Sequence, residues 1–295
     1  MMYNLLVTHQ AEPSRLAAVL ASAFNVGLQD VDVADPHGNP DRRNWEAAVS
    51  CEYSALRGDL TQSLEIYAQK SVTDPPSESA LSQQVAAATG TVVLFPAEED
   101  LPSAYWVATP EGRFTRARLY ASDDEETPVY VIDAVESPVP QLSDTRVMRI
   151  PEVVRELKIA TPLSDSFDER LRAHSVPPGG TEWQIADRLG AWEKLVSHME
   201  SGWAGSGWCP PDLYRERLEA RDGLEDVAPH PAEAAEAEAI AAELRDALRR
   251  LDSTYARLTV EDQEAELAGF LLGSEARQRQ LGWWWHRRPE PLPWG

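Results

Sequence analysis

Residues 231–258 read PAEAAEAEAIAAELRDALRRLDSTYARL, the stretch with the clearest periodicity in the chain. Ala237, Ala241, Leu244, Leu248, Leu251, Tyr255 and Leu258 follow one another at steps of four and three, which puts them on one face of a helix. An apolar face of that length must be buried, so the helix needs partners. Residues 182–200 repeat the spacing at Ile185, Leu189, Trp192, Val196 and Met199. Residues 259–281, opened by Thr259 as a cap with Asp262 three positions on, predict another long helix after a tight turn. Helices joined so closely pack antiparallel, and an all-α bundle with long antiparallel helices is expected over 161–295.

Upstream the pattern changes. Residues 3–8 predict a strand, 13–24 a helix with Pro13 at its first position, and 28–33 a second strand. A strand over 45–56 follows, then a helix over 59–70 with Asp59 as its cap and Leu60, Leu64 and Tyr67 at helical spacing. A helix over 79–88, a strand over 91–95, a hairpin of 103–109 with 113–121 around Pro110, Glu111 and Gly112, and a strand over 129–135 complete the region. The β-α-β-β-α-β order with appended hairpins resembles a ferredoxin-like α+β layer, which implies an antiparallel or mixed sheet with helices on one face. Pro138, Pro140, Pro151 and Pro162 punctuate a connection, so an α+β domain over 1–160 and a helical domain over 161–295 are expected.

The charge is extreme: 49 acidic residues stand against 27 basic ones among 295, a formal net charge of −22. Such a field repels nucleic acid and anionic membrane surfaces and steers basic partners inward. The basic residues are nearly all arginine, with lysine only at 70, 158 and 194, a bias typical of a high-GC bacterium. Cys51 and Cys209 stand alone, which supports neither a zinc motif nor a disulfide framework. The N-terminal stretch lacks the features of a signal peptide, and no segment holds the roughly 18 apolar residues of a membrane helix. A cytoplasmic protein is the expectation.

Candidate sites fall in three places. His9 ends the first strand near Gln10 and Glu12, where a histidine beside a carboxylate could act as a general base. Asp30 and Asp32 share a strand face, and Asp35, His37, Asn39, Asp41 and Glu46 follow at calcium-loop spacing. Pro40 stands where that loop needs glycine, and a polar turn explains the same residues. The third place is rich in tryptophan: Trp203 and Trp208 in a glycine loop, and Trp283, Trp284, Trp285 and Trp294 around Arg287 and Arg288 in the tail. Tryptophan and arginine dominate interaction hot spots, whereas a tail folded back on the helices would bury the same residues.

Phosphate-binding loops, dinucleotide fingerprints, nucleophile elbows, HExxH and paired CxxC motifs are all missing from the sequence. No cofactor or metal is expected, and the balance leans away from an enzyme. In general character the chain is similar to immunity proteins, being acidic and free of catalytic motifs. That implies a non-enzymatic protein of the immunity or inhibitor type that occludes a basic protein partner, with no direct nucleic-acid or membrane contact and an open oligomeric state. Two rivals remain: a hydrolase or transferase using His9 and the Asp30 to Asp41 loop, and an adaptor or structural subunit of a larger assembly.

Overall fold

The structure of the protein, a computed structural model, describes residues 1–97, 101–124, 127–225 and 235–294, with the side chains of 225, 235–237 and 277 outside that description. The chain divides into two compact units, Met1–Val153 and Val154–Gly295. Among the described residues it is α+β, with a ten-stranded mixed sheet and eight α-helices.

The first unit holds β1 (Met2–Val7), β2 (Val31–Ala34), β3 (Val49–Ala55), β4 (Arg57–Gly58), β5 (Gln62–Ala68), β6 (Val93–Pro96), β7 (Ala104–Ala108), β8 (Phe114–Ala121), β9 (Val129–Val135) and β10 (Arg146–Val147). Nine of them run in the order β10-β9-β8-β7-β6-β1-β5-β3-β2, and β4 pairs with β9. Helices α1 (Pro13–Ala23) and α2 (Glu78–Thr89) pack on one face, over Tyr3, Leu5, Val7, Leu64 and Ile66. Proline opens α1, and α2 starts at Ser77, whose hydroxyl accepts from Ala80 N, and stops at Gly90 in the left-handed region.

Alternation along the strands sends Leu6, Leu94 and Val107 to the other face, where they meet Leu60, Ala117, Leu119 and Ile132 in a second core. That core exists because the sheet curls. The tip of the β3–β5 hairpin reaches β9: Arg57 and Gly58 lie parallel to Val129 and Tyr130, and Asp59 N donates to Tyr130 O at 2.8 Å. The Asp59 carboxylate accepts from Ile132 N at 2.8 Å. Gly58 has φ +98, and a Cβ there would stand 2.1 Å from Tyr130 O, so only glycine allows the approach.

Asp59 therefore stitches two strands and caps no helix, and the helix expected over 59–70 is strand β5. Leu64, Ile66 and Ala68 face the core while Glu65 and Tyr67 point out, a period of two that sheet pairing on both sides enforces. Residues 28–30, expected as strand, form a single 3-10 turn before β2.

The second unit contains α4 (Pro162–Ala173), α5 (Thr181–Glu200), α6 (Pro211–Glu225), α7 (Ala235–Leu258) and α8 (Glu266–Leu272), with α3 (Pro151–Arg155) at the junction of the units. Ala241, Leu244, Leu251 and Tyr255 of α7 are buried, and Leu248 and Leu258 are half-buried. The Ala237 side chain and residues 231–234 of the expected helix lie outside the described residues. The long helix expected over 259–281 is not formed. Instead β11 (Val260–Glu261) pairs antiparallel with β12 (Arg287–Arg288), and α8 gives way at Gly273 to a 3-10 turn. Thr259 caps nothing: its hydroxyl donates to Tyr255 O at 2.7 Å and accepts from Arg287 Nε at 2.9 Å. Arg287 also donates to the carbonyls of Ala256 and Thr259, at the end of α7 where orphan acceptors collect. Asp262 accepts from Leu267 N at 2.8 Å and so serves α8. No helix among the described residues is long and apolar enough to cross a membrane.

Candidate functional site

The polar residues singled out in the N-terminal sequence do not converge. Asp32 pairs in register with Ser50, Ser50 with Tyr67, and Tyr67 with Met2, so Asp32 is level with the start of β1. His9 lies beyond the other end of β1. Three strand steps separate their strands, roughly 14 Å, and about 20 Å of strand length is added to that. His9 touches Thr8 Oγ1 through Nδ1 at 3.2 Å. Asp32 is buried against Arg43 at 2.5 Å and accepts from Asn44 N. Asp30 is held by Gln29, and Asp35 closes a turn onto His37 N. Among the described residues no three histidine, cysteine or acidic side chains are grouped to hold a metal ion.

The tryptophan-rich residues divide by burial. Trp284 and Trp285 are 1% exposed, and both indoles donate to Asp222 Oδ1 at 2.8 Å. Arg221 stacks 4.2 Å from the Trp284 ring. Trp208 is buried, Trp203 packs edge-on against His198, and Trp294 is half-buried against Tyr214 and Phe270. The tail is thus part of the core of the second unit. Trp283 alone of these indoles stays largely exposed, at 40%, while Arg288 is half-exposed.

What the structure does assemble is a groove between α4, α5 and α6, with a volume of about 400 Å³. Its walls follow from local sequence. Pro162 starts α4, and the buried Glu193 of α5 accepts from the first free amides of α4, Leu163 N at 2.9 Å and Ser164 N at 2.7 Å. Gly190 lets the helices approach, since a Cβ there would lie 3.0 Å from Ser164 Oγ. On α5, Asp187, Gly190, Ala191 and Lys194 line the groove, and on α6 Leu213, Glu216 and Arg217 do so. Both sets have the spacing of one helical face.

Acidic and basic side chains both line the groove. Asp165, Asp168 and Asp187 are close enough to interact: burial raises the Asp168 carboxyl above its ordinary range, Arg172 pulls it down, and the charges of Asp165 and Asp187 push it further up. Lys194 lies seven residues beyond Asp187, about 10 Å along α5. Arg155 and Arg217 also line the groove, and their like charges repel. Arg155 is held by Asp212 at 2.6 Å and Glu216 at 2.7 Å. Arg217 is 4% exposed, and its Nη1 has no hydrogen-bond partner. Burial lowers its guanidinium from its usual value, and the like charge of Arg155 adds to that.

Behind Arg217 sit His198 and Cys209. Burial, with repulsion from Arg217, holds the His198 imidazole down at about 4, and burial pushes the Cys209 thiol up to about 12. His198 Nε2 is 3.3 Å from Ser206 Oγ, a serine–histidine contact. An imidazole that titrates near 4 is a weak base at neutral pH, and the Ser206 hydroxyl donates to Trp208 O at 2.6 Å. The groove residues lie in four separate helices, α3 to α6, and carry no motif, so the sequence signal was the helical spacing within α5 and α6.

No family model, no curated protein and no solved structure matches the chain.

Proposed function

We propose that this chain is a non-enzymatic protein-binding protein, most concretely of the immunity or inhibitor type, and that it holds a basic partner at the groove between α4, α5 and α6. The observation that carries the reading is the convergence of Asp165, Asp168 and Asp187 in that groove in a chain of net charge −22. The charges of Asp165 and Asp187 raise the Asp168 carboxyl, and a bound cation relieves that repulsion. Electrostatic steering by the remaining acidic residues speeds the encounter, and the partner's active surface is blocked by occlusion. Trp283, with 40% of its surface free, supplies an aromatic contact. In this reading the strand order β6-β1-β5-β3 with α1 and α2 is an elaborated ferredoxin-like layer, and α4 to α7 form a small helical bundle.

A hexa-arginine peptide tests this directly. Its binding to the full chain should weaken steeply between 50 and 300 mM salt, and the triple variant Asp165→Asn, Asp168→Asn, Asp187→Asn should bind at least about tenfold less tightly. Equal affinity for the variant, or an affinity indifferent to salt, would sink the proposal.

A further inference from the structure

We propose that the same groove is a carboxylate-binding site, with Arg217 as the carboxylate's partner, for a peptide group that carries a positive charge next to the carboxylate. This rests on reading the groove as the partner-binding surface. Arg217 is the reason to look for an anion there. A guanidinium keeps its charge at every pH a protein meets, so burying one is costly unless an acceptor is supplied. Arg217 is 4% exposed, lines the groove, and leaves Nη1 without a partner.

Of the nearby groups, Glu216 attracts the Arg217 guanidinium but is not hydrogen-bonded to its Nη1. Glu216 and Asp212 are both committed to Arg155. His198 is held neutral, and the Cys209 thiol is held protonated. Among the described residues no acceptor is bonded to Nη1, and the planar fork of N–H donors that lines the groove matches an incoming carboxylate best.

The rest of the groove selects what accompanies the carboxylate. Four acidic side chains, Asp165, Asp168, Asp187 and Glu216, outnumber the three basic ones, Arg155, Lys194 and Arg217. That surplus disfavours a dianion such as phosphate and favours a ligand whose carboxylate comes with a cation. The roughly 10 Å between Asp187 and Lys194, and a volume of about 400 Å³, suit a dipeptide-sized group. The carboxylate can be an Asp or Glu side chain beside a basic residue, or the C-terminal carboxylate of a chain ending in one.

The full chain should be titrated calorimetrically with five probes: acetyl-Arg-Glu-amide, acetyl-arginine with a free carboxylate, acetyl-Arg-amide, acetate and inorganic phosphate. The first two should bind at least about tenfold more tightly than the other three, and the tighter of the two identifies the carboxylate's source. Arg217→Gln should weaken the two-charge probes at least about thirtyfold. Should that variant not fold, Arg217→Met, which replaces the guanidinium by an apolar chain of similar length, and the exposed Lys194→Gln serve instead. The two-charge probes should raise the melting temperature of the natural protein and leave that of the Met variant unmoved.

Unchanged binding in the Arg217 variants, preference for phosphate, or no binding by any probe overturns the inference. The outcomes separate it from the reading beneath it. Probes that depend on the three aspartates and ignore Arg217 leave the acidic-groove reading standing and the inference refuted. Dependence on Arg217 with indifference to the aspartates leaves the carboxylate contact standing and refutes both the acidic-groove reading and the cation beside the carboxylate.

Discussion

The N-terminal unit positions its elements with backbone hydrogen bonds, whereas the C-terminal unit positions its helices with buried and half-buried carboxylates. In the sheet, register on both sides of β1 and β5 locks each strand, and alternation then fills two cores with aliphatic side chains. Helices satisfy their own backbones and leave the placement to side chains. Glu193 receives the start of α4, Asp262 the start of α8, Asp222 the two tail indoles, and Asp252 both the Trp192 indole at 3.1 Å and the Arg221 guanidinium at 2.7 Å. Part of the acidic surplus is thus interior architecture, and the charge of −22 overstates what is left for partners.

The difference can be broken at its strongest point first. Asp252→Ala leaves a buried guanidinium and an indole N–H without their acceptor, and should cost the second unit about 3–5 kcal/mol. Eight of the ten tryptophans follow residue 180, so fluorescence in a urea titration reports chiefly on that unit. A loss under 1 kcal/mol would mean that packing alone sets the helices.

Next in size is a pH effect. His198 is held near 4 in the fold, below its ordinary value of about 6.5, so the fold favours the neutral ring. Stability from this source is complete above about pH 6.5 and is lost as pH falls toward 4, by about 3 kcal/mol. His198→Gln should flatten that part of the profile, and parallel urea midpoints for both proteins between pH 7 and 4 would contradict the burial argument.

The first unit should respond to backbone changes instead. Gly58→Ala forces a Cβ onto Tyr130 O and should cost about 2 kcal/mol or more, read by hydrogen exchange at Ile132 N, whose acceptor is Asp59. Smallest is Ser77→Ala, which removes the cap of α2 and should cost about 1 kcal/mol by far-ultraviolet dichroism in urea.

The same contrast explains what could be read from the chain. The α7 stripe and the α5 stripe were legible because an amphipathic period survives whatever covers it. Residues 62–68 carry two periods at once: Leu60, Leu64 and Tyr67 match a helix, while Leu64, Ile66 and Ala68 match a strand. Pairing with distant β1 and β3 decided between them, and no local signal records that. Thr259 to Leu281 failed as a helix because Arg287, 28 residues from Thr259, takes the hydroxyl and carbonyl at the end of α7. The groove was invisible for a similar reason. Asp165, Asp187, Lys194 and Arg217 look like ordinary surface charges in sequence, and only three-dimensional packing shows that Arg217 is buried without a partner for Nη1.

The placement of Trp284 and Trp285 also bears on how the chain matures at the ribosome. Every strand of the large sheet is present once residue 147 has emerged, so the first unit can complete its core while synthesis continues. The second unit waits for residues near 285 to finish its own, a further delay on the order of ten seconds at an elongation rate of about 5–20 residues per second. During that interval Tyr255 of α7 lacks the Trp283 ring and the Trp284 carbonyl that meet it in the fold. The helical unit is therefore the one expected to need a chaperone's shelter, and arresting translation before residue 283 should leave it protease-sensitive beside a resistant N-terminal unit.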